Sequence, residues 1–423
     1  MICEQCVNFD SLKELITKDG KNDDCNYCYA KTTCLDEKIV FSYIQSRLDE
    51  VLTSTEYLSA YEHAMVYEGG SDEPHIFPIW AFLSDCTEIA REEVVQSLLD
   101  YLPNEYHVDA KGNDEHFVFD DGTLEHNDYA EKWQEFVEDI HHDRRFFNKN
   151  AKEFLDSLFT TINNGVDLDV NAITELPSSA PLYRARIANG RSNIKKISEN
   201  PCSELGPVPK KLAGNQRMTP AGISAIYCSL DRNTCLCELR TIVGDIAISG
   251  AFQSINGLKL IDLKKLSEAC KVNLLKLDPL HEGYRNISHA YEFLKDITYK
   301  LSRPLGRQDE LGYLSTQVFF EYLRVKYSDN VDGVIFESIQ NDGKGINLAL
   351  FPESSSVSKT KEILEKEAIP QASDLEDSNA KLYFVNGSII YHRIDAVEVK
   401  SKDSDWSEPF VVDELTRRRF YAF

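Results

Sequence analysis

The stretch RMTPAGISAIYCSLDRNTCLCELR, Arg217 to Arg240, sets an arginine before an apolar run, a tyrosine inside it and a glutamate beyond it. Side chains alternate along a strand, so Tyr227 and Ser229 share one face while Ile226, Cys228 and Leu230 take the other. Asp231 or Asn233 can cap a helix that follows. Two turns into that helix, Glu238 stands between Leu236 and Leu239. A carboxylate among apolar helix positions is partly buried and needs a partner, which arginines would supply. Three are at hand. Arg217 precedes a Pro-Ala-Gly turn, and alternation along LYRARI puts Arg184 and Arg186 on one strand face. The set is either an ordinary strand-and-helix corner with surface arginines, or a site that binds an anionic nucleotide and cuts it. Guanidinium forks suit phosphate oxygens bidentately.

A second group lies at the N-terminus. Cys3, Cys6, Cys25 and Cys28 form C-x2-C-x18-C-x2-C within CEQC and CNYC. Four thiolates at that spacing close a tetrahedral zinc site from two knuckles, with no open position for water, so the metal is expected to be structural. A segment this short has little core, and a metal clip gives it a reason to fold. Cys34 is a spare thiol able to replace one ligand, and free structural cysteines are the alternative. The eleven cysteines are odd in number, and MICEQCVNFDSLKEL shows no basic segment followed by an apolar run. The expectation is a cytoplasmic protein without disulfides.

Several sites of known chemistry are absent: there is no GxxxxGK[ST], HExxH or GxSxG. NDGKGIN lies between two strand candidates and reads as a turn. Seven of the ten histidines precede residue 145, so a histidine-based site in the second half is poorly supplied. HHDRRFF (141–147) has its histidines before its arginines, the reverse of helical ribonucleases of the HEPN type, and reads as a solvated helix end.

The elements that would position these residues divide the 423-residue chain, which is too long for one small core. No apolar run approaches the ~20 residues needed to span a bilayer. The net charge of −24 is uneven. Residues 1–170 carry 13 Lys+Arg against 37 Asp+Glu, and the remainder is neutral. Such a surface disfavours nucleic acid and reads as a solvated acidic face, with a basic partner as the sharper alternative. DEKIVFSYIQSRLDEVL, AREEVVQSLLDYL and YAEKWQEFVEDIHHDRRFF have helical spacing, and 104–128 reads as a loop or small hairpin. Residues 167–181 read as a linker. Beyond Pro181 come strand candidates PLYRARI, SAIYCSL, DIAISGAF, LKLIDL, VDGVIFES and INLALF, with helices in YEFLKDITYKLSRPL and YLSTQVFFEYLRVKY. A late pair joined at Asn386-Gly387 reads as a hairpin.

In their order and spacing, LYRAR, RMTPAGISAIYCSLDRNTCLCELR and YLSTQVFFEYLRVKYSDNVDGVIFES with NLALFP resemble the RES domain family, from residue 181 to about 355. The family pattern is an arginine in a first strand, Arg-x4-Gly, a "LY-A-S" strand, a "T-A-x-x-E" helix and "DG-x4-S". Cysteines stand here where alanines are usual, and Ile226 replaces a leucine. The cysteine-rich start and acidic helices are similar to the N-terminal extension of larger RES proteins. The resemblance implies a multidomain α+β chain. A four-cysteine zinc segment (1–35) and an acidic, mainly helical domain (36–170) would precede an α/β RES domain (171–423). The RES domain would have an ADP-ribosyltransferase-like fold on a small split sheet.

The resemblance further implies an enzyme that degrades NAD+ at the nicotinamide–ribose bond, as a toxin or antiphage defence effector. Phosphate or water would be the acceptor, and a protein acceptor would make it an ADP-ribosyltransferase. A non-catalytic nucleotide-binding sensor is the alternative of another class. Arg184, or Arg186, would hold the pyrophosphate or its ribose. Arg217 would bind a phosphate of the cofactor or an incoming inorganic phosphate, the candidate co-substrate. Tyr227 would pack on the nicotinamide or its ribose. Glu238 would be the main catalytic carboxylate, and Ser338 would hydrogen-bond the ribose or nucleotide. The partners implied are NAD+ and an antitoxin or trigger protein, with a homo-oligomer left open.

Overall fold

The computed structural model of the chain describes residues 1–60, 62–63, 76–124, 127–163, 172–274, 277–295, 301, 311–341, 344–360 and 370–397. Among them no helix is long and apolar enough to cross a membrane. The chain divides into two compact units, one of residues 1–131 with 271–293, the other of 132–270 with 294–423.

In the first unit, β1 (Ile2–Cys3), β2 (Lys21–Asp24) and β3 (Lys31–Leu35) form an antiparallel sheet in the order β1-β3-β2. The Asp10–Asp19 helix buries Leu12 and Ile16, four residues apart and so on one face. The Glu37–Val51 helix starts where the Asp36 side chain accepts from Lys38 N–H at 2.9 Å, and it buries Val40, Phe41, Ile44, Leu48 and Val51. Ile2, Cys3, Leu12, Ile16, Val40, Ile44 and Leu48 belong to one core. The expected mainly helical region also holds a small sheet: β4 (Leu52–Ser54), β5 (Ile76–Phe77) and β6 (Phe117–Phe119), in the order β4-β6-β5. The Tyr284–Lys295 helix contributes fully buried His289, whose Nε2 lies 2.8 Å from Asp120 Oδ1.

The second unit is built on β7 (Ile173–Leu176), β8 (Leu182–Ile187), β9 (Tyr227–Ser229), β10 (Ile246–Ser254), β11 (Leu258–Asp262), β12 (Gly333–Ser338), β13 (Gly345–Leu350), β14 (Val357–Ser358), β15 (Leu382–Phe384) and β16 (Ile390–Arg393). Their order is β14-β15-β10-β8-β9-β13-β12-β11-β7, with β16 also on β10. Leu182, Ile226, Cys228, Ile248, Phe252, Leu260, Ile335 and Leu348 pack with Ile197 and Leu205 of the Arg191–Glu199 and Pro201–Leu205 helices. The Lys149–Asn163 helix belongs here because Phe159 lies 5.8 Å from Phe319 of the Leu314–Tyr327 helix and Tyr322 Oη donates to Asp156 at 3.0 Å.

Three expectations are corrected. The end of the expected linker is an edge strand, since β7 pairs antiparallel with β11 from Ile173↔Ile261 to Leu176↔Leu258. The late pair is not a hairpin. β15 and β16 both run along β10, Phe384 opposite Phe252 and Ile390 opposite Ser249, and Asn386-Gly387 lies in a bulge between them. There Val385 N–H donates to Ala251 O and Ala251 N–H donates to Ser388 Oγ, both at 2.9 Å, with Gly387 at φ 74°. The sheet is also larger than a small split sheet, because β14–β16 extend it past β10. The second half of YEFLKDITYKLSRPL and the turn in NDGKGIN fall partly outside the described residues.

Candidate active site

β8 and β9 pair at a single position, Tyr183↔Ser229. A cavity of about 380 Å³ opens there, lined among others by Arg184, Arg217, Tyr227, Glu238, Arg240 and Asn347. Four of the expected site residues therefore reach one cavity, and two do not line it. Arg186 is spent outside, donating to Glu204 O at 2.7 Å and pairing with the Glu204 carboxylate at 3.2 Å. Ser338 is 1% exposed and stands behind Glu238.

Arg184 comes from the middle of β8 and donates from Nη1 to Leu205 O at 3.1 Å and to Gly206 O. Among the described residues it has no carboxylate partner, and burial draws its pKa below the ordinary arginine value. An enclosed cation held only by carbonyl dipoles is suited to an incoming anion. Tyr227 Oη accepts from Met218 N–H at 2.9 Å and lies 3.3 Å from Thr219 Oγ1, and burial pushes its pKa up. The ring is thereby fixed as a wall beside the Arg217 turn. Burial likewise pushes the Cys228 and Cys235 thiols up to about 12, so neither is a ready nucleophile.

Glu238 follows the Arg232–Cys237 helix as its C-cap. Asp231 caps the other end, accepting from Thr234 N–H at 2.8 Å and from Thr234 Oγ1 at 2.6 Å. The expected arginine partners of Glu238 are not what hold it. Ser338 Oγ donates to its Oε1 at 2.6 Å and Asn347 Nδ2 to the same oxygen at 2.7 Å. Neutral donors suffice because Glu238 borders the cavity and is only half-buried. The helix approaches β13 so closely that a Cβ on Gly345 would overlap Thr234 Oγ1.

Asn347 and Arg240 escaped the sequence reading. Asn347 hides in the apolar strand INLALF, though a polar residue there, two places beyond Gly345, was a signal. Arg240 takes φ 49°, uncommon for a residue with a Cβ, and puts a third guanidinium at the cavity.

This geometry sits in a region that matches a family model. The RES domain model covers residues 181–370, and the model of HEPN/RES N-terminal domain 1 covers residues 18–154. The chain thus carries a RES domain preceded by a HEPN/RES N-terminal domain. No curated protein and no solved structure matches it. The RES match takes in Arg184, Arg217, Tyr227, Glu238, Ser338 and Asn347 together.

The Sγ atoms of Cys3, Cys6, Cys25 and Cys28 all lie within 4.8 Å of one another. Cys3–Cys6 is 3.7 Å, Cys3–Cys28 3.5 Å and Cys6–Cys25 3.8 Å. A tetrahedron with Zn–S bonds of ~2.3 Å has edges of about 3.8 Å, so the donor set fits a metal ion. Burial pushes Cys3 up to about 11 and raises Cys6 as well. Cys25 meets the same burial but is held at about 6 by N–H donors in the knuckles, first that of Cys28. Cys34 stands apart: it pairs with Cys3 across the sheet, and its Sγ lies 3.5 Å from Asp23 O.

Proposed function

We propose that the RES domain binds NAD+ and cleaves its nicotinamide–ribose bond, acting in the cytoplasm as a toxin or defence effector. What carries this reading is one cavity lined by Arg184, Arg217, Tyr227 and Glu238 together. Arg184 and Arg217 would take the pyrophosphate oxygens, and the Tyr227 face would take the nicotinamide ring through stacking and cation–π attraction. As the C–N bond breaks, positive charge develops on the ribose, as in glycoside hydrolysis. Nicotinamide leaves as a neutral group, so no strong acid is required. The Glu238 carboxylate stabilises the developing charge and orients the nucleophile, whose oxygen bonds to the anomeric carbon as nicotinamide departs. Inorganic phosphate is the acceptor we favour, because Arg240 also lines the cavity and has no anionic partner among the described residues.

We take the RES domain to be the catalytic part and the acidic N-terminal part to be the surface that an antitoxin or trigger protein would meet. Cys3, Cys6, Cys25 and Cys28 would hold a zinc ion whose contribution is to folding, since four thiolates fill its coordination.

The test is incubation with NAD+, with and without phosphate, following nicotinamide and the ribosyl product by mass. Release by the wild type and not by Glu238→Gln supports the reading. ADP-ribose 1-phosphate marks phosphorolysis and ADP-ribose marks hydrolysis. No release in either condition, with no NAD+-induced thermal stabilisation, overturns it.

A further inference from the structure

We infer that Asn347 is a positioning residue for Glu238, turning one edge of its carboxylate toward the reacting ribose. The inference rests on the NAD+ reading above. Asn347 lies inside β13 between Ile346 and Leu348 and is 6% exposed. A buried amide costs free energy unless both of its ends are bonded. Here both are. Nδ2 donates to Glu238 Oε1 at 2.7 Å, and Oδ1 accepts from Ser229 Oγ at 2.7 Å. The orientation of the amide follows from its partners, because an ionised carboxylate only accepts and so must face the NH2 end.

Ser338 Oγ donates to the same Oε1 at 2.6 Å. Two donors thus converge on one carboxylate oxygen, and among the described residues Oε2 has no hydrogen-bond partner. The group is clamped by its inner oxygen and keeps the outer one for the cavity. The clamp counters a local bias. Glu238 ends a helix, where the carbonyl ends of the peptide dipoles repel a carboxylate. With Ser338 alone, the carboxyl could turn and exchange one oxygen for the other. That rotation breaks one hydrogen bond with Ser338 alone and two with Asn347 as second donor. Ser229 is opposite Asn347 in the β9–β13 register and lies two residues before Asp231, the cap of the helix that carries Glu238. Asn347 therefore ties the strand before the helix to the residue that ends it.

The variants Asn347→Ala and Asn347→Ser test this, the serine being too short to reach Glu238 and serving if the alanine variant does not fold. With NAD+ as substrate, kcat should fall about 10- to 100-fold with KM within about two-fold. An unchanged kcat, with only thermal stability lowered, would show a purely structural amide and overturn the inference. If the wild type itself releases no nicotinamide and is not stabilised by NAD+, the NAD+ reading has failed. The side-chain mobility of Glu238, read by NMR relaxation without substrate, then decides Asn347: a more mobile carboxyl in the variants upholds the clamp, and an unchanged one overturns it.

Discussion

Ser338, the last residue of β12, donates its hydroxyl to Oε1 of Glu238 at 2.6 Å across 100 residues of sequence. The serine expected to touch substrate is instead directed at the carboxylate. Glu238→Gln keeps an oxygen able to accept from Ser338 and Asn347, so the fold should survive while the negative charge is lost. Nicotinamide release should fall at least about 100-fold, with the thermal unfolding temperature nearly unchanged. A Gln variant that retains most of its activity would remove Glu238 from the chemistry.

The two arginines of β8 make a second contrast. Arg184 lines the cavity without a carboxylate partner, whereas Arg186 is engaged by Glu204. Arg184→Lys keeps the charge but loses the planar fork. Its KM for NAD+ should rise about ten-fold or more, equivalent to roughly 1.4 kcal/mol, and the thermal stabilisation given by NAD+ should shrink. Arg186→Ala should change KM less than about two-fold. Equal effects of the two substitutions would mean that the pyrophosphate lies elsewhere.

The strand that read most clearly in the sequence was one buried on both faces, in VDGVIFES, where an apolar run has no competing period. Arg184, Arg217, Tyr227 and Glu238 were legible because their side-chain types announce phosphate, ring and charge chemistry. What stayed hidden depends on partners far apart in the chain. Asn347 is one polar letter in an apolar strand until Ser229 and Glu238 come to either end of its amide. Asn386-Gly387 has the residues of a two-residue turn, yet β15 and β16 each find β10, which offers longer pairing than they could offer each other.

Gly345 is needed for closeness rather than for a special turn. The Cβ of Gly345→Ala would overlap Thr234 Oγ1, a side chain already bonded to Asp231 and Asn341. The helix must shift, at a cost of about 1–3 kcal/mol, and Glu238 at its end moves with it. Chemical denaturation should show the loss of stability, and nicotinamide release should fall beyond what the unfolded fraction explains.

The thiol cluster predicts one zinc per chain, measurable by elemental analysis. Cys28→Ser should abolish stoichiometric binding and Cys34→Ser should leave it intact, because only the former Sγ lies within the group of four. Chelation should lower the unfolding temperature of the first unit, whose core includes Cys3, Cys6 and Cys25. Zinc-free protein with undiminished stability would refute the assignment.

His392 predicts a weakening in mild acid. Its Nε2 lies 2.8 Å from Ser249 Oγ, which also accepts from Arg232 Nη1 at 2.5 Å. With its oxygen accepting from arginine, the serine keeps its hydroxyl proton free to donate to a neutral His392 ring. Burial first, and then the Arg232 charge, hold the pKa of His392 below its ordinary 6.5. Above that value the folded and unfolded chains carry the same charge there, and the stability is intact. Below it the unfolded chain takes up a proton that the folded chain resists, so stability falls as pH drops through and beneath 6.5. Arg232 lies 4.5 Å over the ring of Tyr183, a wall of the cavity, so the loss is directed at the site. His392→Gln can still accept from Ser249 but does not titrate. The difference in denaturation midpoint between about pH 7.5 and about pH 5.5 should therefore be smaller in that variant, and an undiminished difference would place the acid sensitivity in another group.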